Sequence, residues 1–297
     1  MPPKAERAAS KKGTAASKSA APRKGRSRKK PAPSIPVADA IRLMTEQYGP
    51  FPEEPRLDPI HELTFTILSQ HTSDTNSERA FRSLMRRFGS LEAVAAGEVA
   101  EIEEAISGGG LAKIKAPRIK QVLSRIIELN GSLDLSFLRE MPLSEAKAWL
   151  RQLPGIGPKS AGIILSFSLG MPAMAIDTHI YRVSQRLALI GPKVSADKAH
   201  DLLEEAVDPE MVYPFHQAFI THGRQVCKAQ RPRCEECVVS HGCPSFESFM
   251  TATAKAGTGE GKSGTRKESN TKRATKRQRT AAQVPHAYPS TEGDSGP

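Results

Sequence analysis

The residues best suited to chemistry are Lys159 and Asp177, a candidate nucleophile and a candidate acid that lie 18 positions apart. Lys159 falls in the first turn of a predicted apolar helix, directly after the Gly- and Pro-rich turn at residues 153–157. A helix N-terminus carries partial positive charge, which disfavours the ammonium form of a lysine, and the neutral amine is a nucleophile. Asp177 stands where the next helix should begin, as an N-cap whose carboxylate stays ionised.

The turn at residues 153–157, Leu-Pro-Gly-Ile-Gly, predicts a binding site for a phosphate group. Gly155 and Gly157 let backbone N–H groups approach a ligand closely, and the N-terminus of the following helix favours an anion. We expect Leu153 and Ile156 to anchor the turn in the core. An ionised carboxylate beside the amine would stabilise positive charge on a sugar ring, so these parts together could break a sugar–base bond. The alternative is an ordinary connection between two helices, in which the glycines serve only the geometry.

The four cysteines of the chain lie within 17 residues and are separated by six, two and five residues: Cys227, Cys234, Cys237 and Cys243. Four thiolates in one short loop indicate a metal site rather than disulfides, and both zinc and an iron–sulfur cluster are compatible with the pattern. Zinc sites more often show two close pairs, whereas this loop has a single Cys-x-x-Cys. The cysteine usage also favours a reducing compartment.

The chain has 297 residues and a net charge of +11, which is concentrated at its ends. Residues 1–33 hold eleven Lys and Arg against one acid, and residues 251–297 hold nine against four, so the middle carries −4. Both ends are otherwise rich in small and polar residues, so we expect them to be disordered and to attract a polyanion. Their basic clusters could alternatively serve solubility or nuclear import. No apolar run approaches the length of a membrane span and no signal-peptide core follows the charged start, so we expect no membrane partner.

Apolar residues in the middle of the chain recur at helical spacing, without the alternation typical of strands, so the sequence predicts an all-α fold. Residues with strong capping preferences mark the ends of the predicted helices. Helix starts are indicated by Asp58 with Pro59, Asp74, Ser90, Pro117, Ser144 and Ser195, and helix ends by Gly89 and Gly131.

The stretch from Leu153 to Asp177 resembles the helix-hairpin-helix, Gly/Pro-rich loop and aspartate signature of the endonuclease III family of DNA glycosylases, including the spacing from lysine to aspartate. The cysteine array, preceded by His-Gly-Arg at residues 222–224, resembles the [4Fe–4S] loop of that family. The resemblance extends over about residues 35–243. It favours a [4Fe–4S] cluster with a structural role as the cofactor, with zinc as the alternative.

The resemblance implies a two-lobed helix-hairpin-helix glycosylase fold between disordered basic tails. Residues 59–172 would form a six-helix barrel, and residues 34–58 would join residues 173–250 in an iron–sulfur cluster lobe. The tails would be residues 1–33 and 251–297. The active site would lie in the groove between the lobes.

The resemblance also implies a bifunctional DNA glycosylase and abasic-site lyase of base excision repair, which removes damaged, typically oxidised, pyrimidines from duplex DNA. The amine of Lys159 would attack C1′, expel the base and form a Schiff base, and β-elimination would cut the strand 3′ to the abasic site. Asp177 would stabilise charge on the sugar and help to move the lysine proton. Alternatives are a relative with another base preference, such as mismatched uracil or thymine or modified cytosine, and a non-catalytic protein that binds damaged DNA. Such a binder would need neither catalytic residue.

Contacts with the DNA backbone follow from the same resemblance. The phosphate would be held around Gly155, Ile156 and Gly157, which position the DNA without reading its sequence. Basic residues in and beside the cysteine loop would contact the backbone: Arg224, Lys228, Arg231 and Arg233. The partner is therefore expected to be double-stranded DNA with a damaged base or an abasic site, bound by a monomer. The protein would be cytoplasmic with the nucleoid in a bacterium, and nuclear in a eukaryote.

Two stretches could fill the gap that a flipped-out nucleotide leaves in the duplex. Leu111 resembles the apolar wedge of the family, although a loop leucine could instead pack into the core. Residues 68–74 resemble the segment with the family's inserting glutamine, but Gln70 stands one place early and His71 occupies the expected position. Either Gln70 or His71 could therefore enter the helix.

Overall fold

The structure, a computed structural model, describes residues 35–51 and 57–257, the last five of them as backbone only. Within these residues the regular elements are helices and no strand occurs, which confirms the all-α prediction. None of the described helices is both long and apolar enough to cross a membrane. The α-helices are α1 (Val37–Tyr48), α2 (Pro59–Ser69), α3 (Asp74–Phe88), α4 (Leu91–Ala96), α5 (Val99–Ala105), α6 (Ala112–Asn130), α7 (Leu143–Leu150), α8 (Pro158–Phe167), α9 (Thr178–Arg186), α10 (Ala196–Ala206), α11 (Val212–Gln225) and α12 (Phe246–Gly257).

Several predicted helix boundaries are confirmed by their capping geometry. Asp58 caps α2, Ser90 caps α4 and Ser195 caps α10, each through a side-chain oxygen that accepts hydrogen bonds from backbone N–H groups of the first turn. Gly89 and Gly131 end α3 and α6 at φ of +78° and +80°, where glycine is favoured over other residues. Local sequence was sufficient to locate these ends.

Two predicted helix starts are wrong. Helix α6 begins one turn before Pro117, because the Leu111 carbonyl already accepts hydrogen bonds from the first turn at 3.0 Å. Pro117 then lies inside the helix, where it removes a single backbone hydrogen bond near the N-terminus. Helix α7 begins after Pro142, whose carbonyl accepts hydrogen bonds at 2.9 and 3.0 Å, so Ser144 lies within the helix rather than at its cap.

Buried apolar side chains form two main clusters, and the chain passes from one to the other in the connection between α8 and α9. The first cluster lies within residues 60–173, and the second combines residues 35–44 with residues 174–239. Both clusters belong to one compact unit. The division into a barrel lobe and an iron–sulfur lobe therefore stays a prediction.

The predicted tails lie largely outside the described residues. Residues 1–33 and 258–297 fall outside them entirely. Helix α12 runs to Gly257, so the chain is still helical at residue 251, where the C-terminal tail was predicted to begin. The guanidinium of Arg186 lies over the ring of Phe249 in this helix, 4.4 Å from its centroid, which gives α12 a contact with α9.

Candidate active site and cysteine cluster

Lys159 lies at the N-terminus of α8, where the sequence predicts it. Gly157 is the N-cap and Pro158 is the first helical residue, a position at which the missing N–H of proline leaves no helical hydrogen bond unmade. Lys159 is therefore the second residue of the helix, and its side chain is partly buried. This position is at the positive end of the helix dipole.

The turn before α8 has glycine geometry at Gly155 and buries its two apolar residues. Gly155 has a φ of +76°, and a Cβ atom added there would lie 2.9 Å from Nε of Arg118, so backbone conformation and space both favour glycine. Leu153 and Ile156 are 2% and 5% exposed and belong to the first apolar cluster, which confirms that they anchor the turn. The turn is thus packed against the core through both of these side chains.

Asp177 is the N-cap of α9, as predicted. Its Oδ1 atom accepts hydrogen bonds from the N–H groups of His179 and Ile180, at 2.8 and 2.7 Å. Helix N-termini favour negative charge, so capping is compatible with a role that needs an ionised carboxylate. The side chain is only partly buried.

The helix of Lys159 and the segment before Asp177 are in direct contact. A Cβ atom added at Gly162 of α8 would lie 2.3 Å from the carbonyl oxygen of Met174 and 3.1 Å from Cα of Ala175. Gly162 follows Lys159 by about one helical turn, and Met174 precedes Asp177 by three residues. The two predicted catalytic residues therefore lie on elements that pack against each other.

Gln70 and His71 have different environments. Nε2 of Gln70 donates to the carbonyl of Gly155 at 3.3 Å, and Nη1 of Arg118 donates to Oε1 of Gln70 at 3.1 Å. Gln70 is thus bonded to the turn that precedes α8. His71 is exposed and has a φ of +54°, an uncommon conformation for a residue other than glycine.

The loop that carries Gln70 and His71 is held by a buried lysine that sequence reasoning missed. Nζ of Lys115 bonds to the Leu68 carbonyl and to Oγ1 of Thr72, which lie 47 and 43 positions away in sequence. Burial lowers the pKa of Lys115. A helical lysine is usually exposed, and no local pattern marks partners so distant in sequence, so no signal distinguished Lys115 beforehand.

Leu111 is exposed, so the alternative that it packs into the core is wrong. Its exposed fraction is 48%, and Ile114, one turn further along, is 54% exposed. Leu111 has a φ of +57°, directly after Gly110 at +76°. Leu111 and Ile114 thus present apolar side chains to solvent at the N-terminus of α6. The positive φ of Leu111 is a strained backbone conformation.

The four basic residues predicted to contact DNA are all exposed: Arg224, Lys228, Arg231 and Arg233. Two of them have acidic partners, Asp74 at 3.5 Å from Arg224 and Glu236 at 3.3 Å from Arg233. Asp74 was expected to cap α3, but the Ser73 hydroxyl takes that role and leaves Asp74 as the first helical residue. The pair with Arg224 is exposed and contributes little to stability.

The four cysteines are free of disulfides and line one cavity together with residues of α9, α11 and α12. Burial raises the pKa of Cys237 to about 11, and burial together with charge on the other cysteines raises the pKa of Cys234 and Cys243. Thiolates at these positions therefore require a cationic group between them. The donor set fits an iron–sulfur cluster in its residue types and number.

Side chains around the cysteines supply hydrogen bonds to sulfur. Nη1 of Arg186 donates to Sγ of Cys227 at 3.3 Å. Nε2 of His222 lies 3.6 Å from Sγ of Cys237. The other ring nitrogen of His222, Nδ1, lies 2.8 Å from the hydroxyl of Tyr48. Burial lowers the pKa of His222 to about 4, so its ring is neutral at pH 7. Such second-layer bonds orient cluster ligands and tune a bound cluster.

Comparison with known proteins identifies the family. A model described as the HhH-GPD superfamily of base excision DNA repair proteins matches residues 65–209, and the iron–sulfur binding domain of endonuclease III matches residues 227–243. Endonuclease III of Thermotoga maritima is 30% identical over 189 residues, which cover 64% of this chain and 84% of the relative. The chain belongs to the endonuclease III family. It is accordingly a DNA glycosylase and abasic-site lyase of base excision repair.

Solved structures agree with this assignment to the endonuclease III family. A non-covalent complex of endonuclease III with DNA is 26% identical and has a TM-score of 0.63, covering 72% of this chain and 97% of that one. A trapped covalent intermediate of endonuclease III with DNA gives the same values. The iron–sulfur match begins at Cys227 and ends at Cys243, so it spans all four cysteines, and the zinc alternative has no support.

Proposed function

We propose that the protein removes oxidised pyrimidines from duplex DNA through a Schiff base on Lys159 and then cuts the strand 3′ to the abasic site. The observation that carries this proposal is the packing of α8, with Lys159 in its first turn, against the segment that leads into the N-cap Asp177. A nucleophile and a carboxylate on contacting elements, beside a rigid turn, suit a reaction at a sugar carbon next to a phosphate.

In the proposed reaction the amine of Lys159 attacks C1′ of the damaged nucleotide. The bond from C1′ to the base breaks, and its electron pair leaves with the base. The attacking nitrogen then loses a proton, the C1′–O4′ bond breaks, and O4′ takes up a proton, which leaves the ring-opened Schiff base between C1′ and Nζ. Removal of a C2′ proton then expels the 3′ phosphate by β-elimination. Asp177 supplies negative charge as the sugar becomes cationic and accepts the lysine proton.

We assign the DNA contacts as follows. The backbone around Gly155, Ile156 and Gly157 holds a phosphate, although the Ile156 N–H already donates to the Leu153 carbonyl at 3.2 Å, so the glycine N–H groups are the better donors. The exposed residues Arg224, Lys228, Arg231 and Arg233 contact the DNA backbone. Each would add a salt-sensitive contribution to affinity without reading sequence.

His71, rather than Gln70, is proposed to enter the gap left by the flipped nucleotide, together with the wedge Leu111. Gln70 forms hydrogen bonds with Gly155 and Arg118. His71 and Leu111 are instead exposed and have positive φ. Insertion of Gln70 would require those bonds to break. The exposed Ile114 would extend the apolar surface of the wedge.

The cofactor is proposed to be a [4Fe–4S] cluster with one cysteine ligand for each iron, from Cys227, Cys234, Cys237 and Cys243. When bound, it would hold the ends of the cysteine loop together, a structural role. The family match supports iron–sulfur binding, and the count of four thiolates supports the four-iron type. Action as a monomer, and the location in the nucleoid or nucleus, stay predictions.

Borohydride trapping on duplex DNA with one abasic site tests the lysine chemistry. We expect a covalent adduct with the wild-type protein and with Lys193→Ala, which removes an exposed loop lysine. Lys159→Ala should abolish the adduct. An adduct that persists in Lys159→Ala, or a wild-type protein that forms none, contradicts the proposal.

A panel of duplexes, each with one defined lesion, tests the base preference. Base release is expected to be fastest from oxidised or ring-saturated pyrimidines. Faster release of mismatched uracil or thymine, or of modified cytosine, would replace the oxidised-pyrimidine proposal and leave the lysine chemistry intact. The trapping experiment and the lesion panel therefore test the lysine chemistry and the base preference separately.

A further inference from the structure

Two buried histidines and a partly buried glutamate of α10 and α11 hold the backbone of residues 174–176, which lead directly into Asp177. Glu204 Oε2 accepts a hydrogen bond from the N–H of the first residue of this segment at 2.8 Å, and Nε2 of His200 accepts one from the N–H of the last at 3.0 Å. Nδ1 of His216 donates to the carbonyl of the middle residue at 2.9 Å. All three residues of the segment are thus bonded to side chains from helices distant in sequence.

The spacing of His200 and Glu204 matches the segment that they hold. They lie four positions apart on one face of α10, which corresponds to a rise of about 6 Å. Two N–H groups two residues apart in a non-helical chain can be separated by about 6.6 Å. A single helix face can therefore hold both N–H groups of the segment at once.

The other contacts of both acceptors suit this role. Nδ1 of His200 is 2.9 Å from the Ala196 carbonyl and donates to it, which leaves Nε2 as the acceptor for a backbone N–H. Glu204 also pairs with Lys147 of α7, which balances its charge in a partly buried site. Replacing either acceptor by an apolar group would leave a buried N–H without a partner.

The segment also packs against α8. A Cβ atom at Gly162 would lie 2.3 Å from the Met174 carbonyl oxygen, so the segment already touches the helix that carries Lys159. The segment is therefore in contact with Gly162 and hydrogen-bonded to His200 and Glu204.

We propose that His200 and Glu204 are positioning residues that set the place of Asp177 relative to Lys159. The inference rests on the proposed function, because it takes Lys159 and Asp177 as the reacting pair. Asp177 is joined by one peptide bond to the residue that His200 holds, so movement of the segment moves the carboxylate. A shift of about 1 Å in a reacting group can slow a reaction about 100-fold.

The variants His200→Leu and His200→Gln test the role of the acceptor. Leucine removes the acceptor at similar size, whereas glutamine keeps an oxygen that can accept the Ile176 N–H. Glu205→Leu, at an exposed position of the same helix, is the control. We expect His200→Leu to slow single-turnover base release about 10- to 100-fold, with the Kd for a duplex carrying a stable abasic analogue unchanged. His200→Gln should recover most of the rate, and Glu205→Leu should leave it unchanged.

Amide hydrogen exchange without DNA gives a readout that does not depend on activity. The N–H of Ile176 should exchange faster in His200→Leu than in wild type, and that of Met174 faster in Glu204→Leu. Glu204→Gln, which keeps an acceptor oxygen, should preserve protection at Met174. This pair of Glu204 variants carries the test if His200→Leu does not fold.

Two outcomes overturn the inference. Unchanged exchange at Ile176 in His200→Leu would show that this hydrogen bond does not hold the segment. Faster exchange with a wild-type rate of base release would show that the segment does not position Asp177. If the wild-type protein itself releases no base from any lesion, the proposed function fails, while the exchange measurements still decide whether His200 and Glu204 hold the segment.

Discussion

Replacing Asp177 by asparagine or by alanine separates its capping role from its proposed chemical role. Asparagine keeps the Oδ1 atom that accepts hydrogen bonds from His179 and Ile180, whereas alanine loses both bonds. Loss of an N-cap destabilises a protein by about 1–2 kcal/mol, and loss of negative charge at a helix N-terminus by about 0.3–1 kcal/mol. We expect Asp177→Asn to lower the free energy of unfolding by less than about 1 kcal/mol, and Asp177→Ala by roughly 2 kcal/mol.

These free energies correspond to measurable changes in thermal unfolding. One kcal/mol shifts the Tm of a protein of this size by about 2–4 °C, so the alanine variant should unfold several degrees below the asparagine variant. Both variants lack the ionised carboxylate, so the rate of base release should fall by a similar factor, about 10²–10⁴, in each. Stability should therefore distinguish the two variants while activity does not.

Thermal unfolding and single-turnover base release, measured on the same preparations, check this expectation. Ser90→Ala is the control, because it removes the cap of α4 and should lower Tm without changing the rate. An Asp177→Asn protein with wild-type activity would refute the catalytic role of the carboxylate. A rate that follows Tm through all three variants would show that capping alone explains the effect.

Two further predictions concern pH and the DNA wedge. Burial lowers the pKa of His200 in the folded state. Below about pH 6.5 the unfolded chain therefore binds more protons than the folded one. The free energy of unfolding decreases as pH falls through that range. His200→Gln should reduce this slope of unfolding free energy against pH by up to about 1.4 kcal/mol per pH unit. Denaturant unfolding at several pH values measures the slope, and an unchanged slope would contradict the prediction. His71→Ala should weaken binding to a duplex with an abasic analogue more than Gln70→Ala weakens it, and the reverse order in a titration would show that Gln70 inserts.

The sequence predicted what depends on neighbouring residues. Asp177 could be assigned as an N-cap because its hydrogen bonds reach only two and three residues ahead. The conformation of Gly155 and the burial of Leu153 and Ile156 follow in the same way from a short turn between two helices. The wrong start at Pro117 has a local cause too: a proline typically marks the first turn of a helix, whereas α6 begins at Ala112, five residues before it.

The features that the sequence could not predict join positions far apart in the chain. Gln70 and His71 could not be distinguished, because the bonds that hold Gln70 come from residues 85 and 48 positions away. The bonds from His200 and Glu204 to the segment before Asp177 span 24 and 30 positions. A histidine or glutamate in an amphipathic helix has the same local pattern whether it faces solvent or a buried N–H, so only the folded chain shows its partner.

Helix α9 connects the cysteine loop to the candidate catalytic acid. Asp177 caps the N-terminus of this nine-residue helix, Arg182 lies at its middle, and Arg186 is its last residue. Arg182 donates to the carbonyls of Gly223 and Cys227 at 2.8 and 3.0 Å, and Arg186 donates to the Lys228 carbonyl at 2.7 Å. Polar bonds therefore hold α9 at its N-cap and along its second half, and those from Arg182 and Arg186 reach the start of the cysteine loop. The cysteine loop is thus joined to the candidate catalytic acid through a single helix.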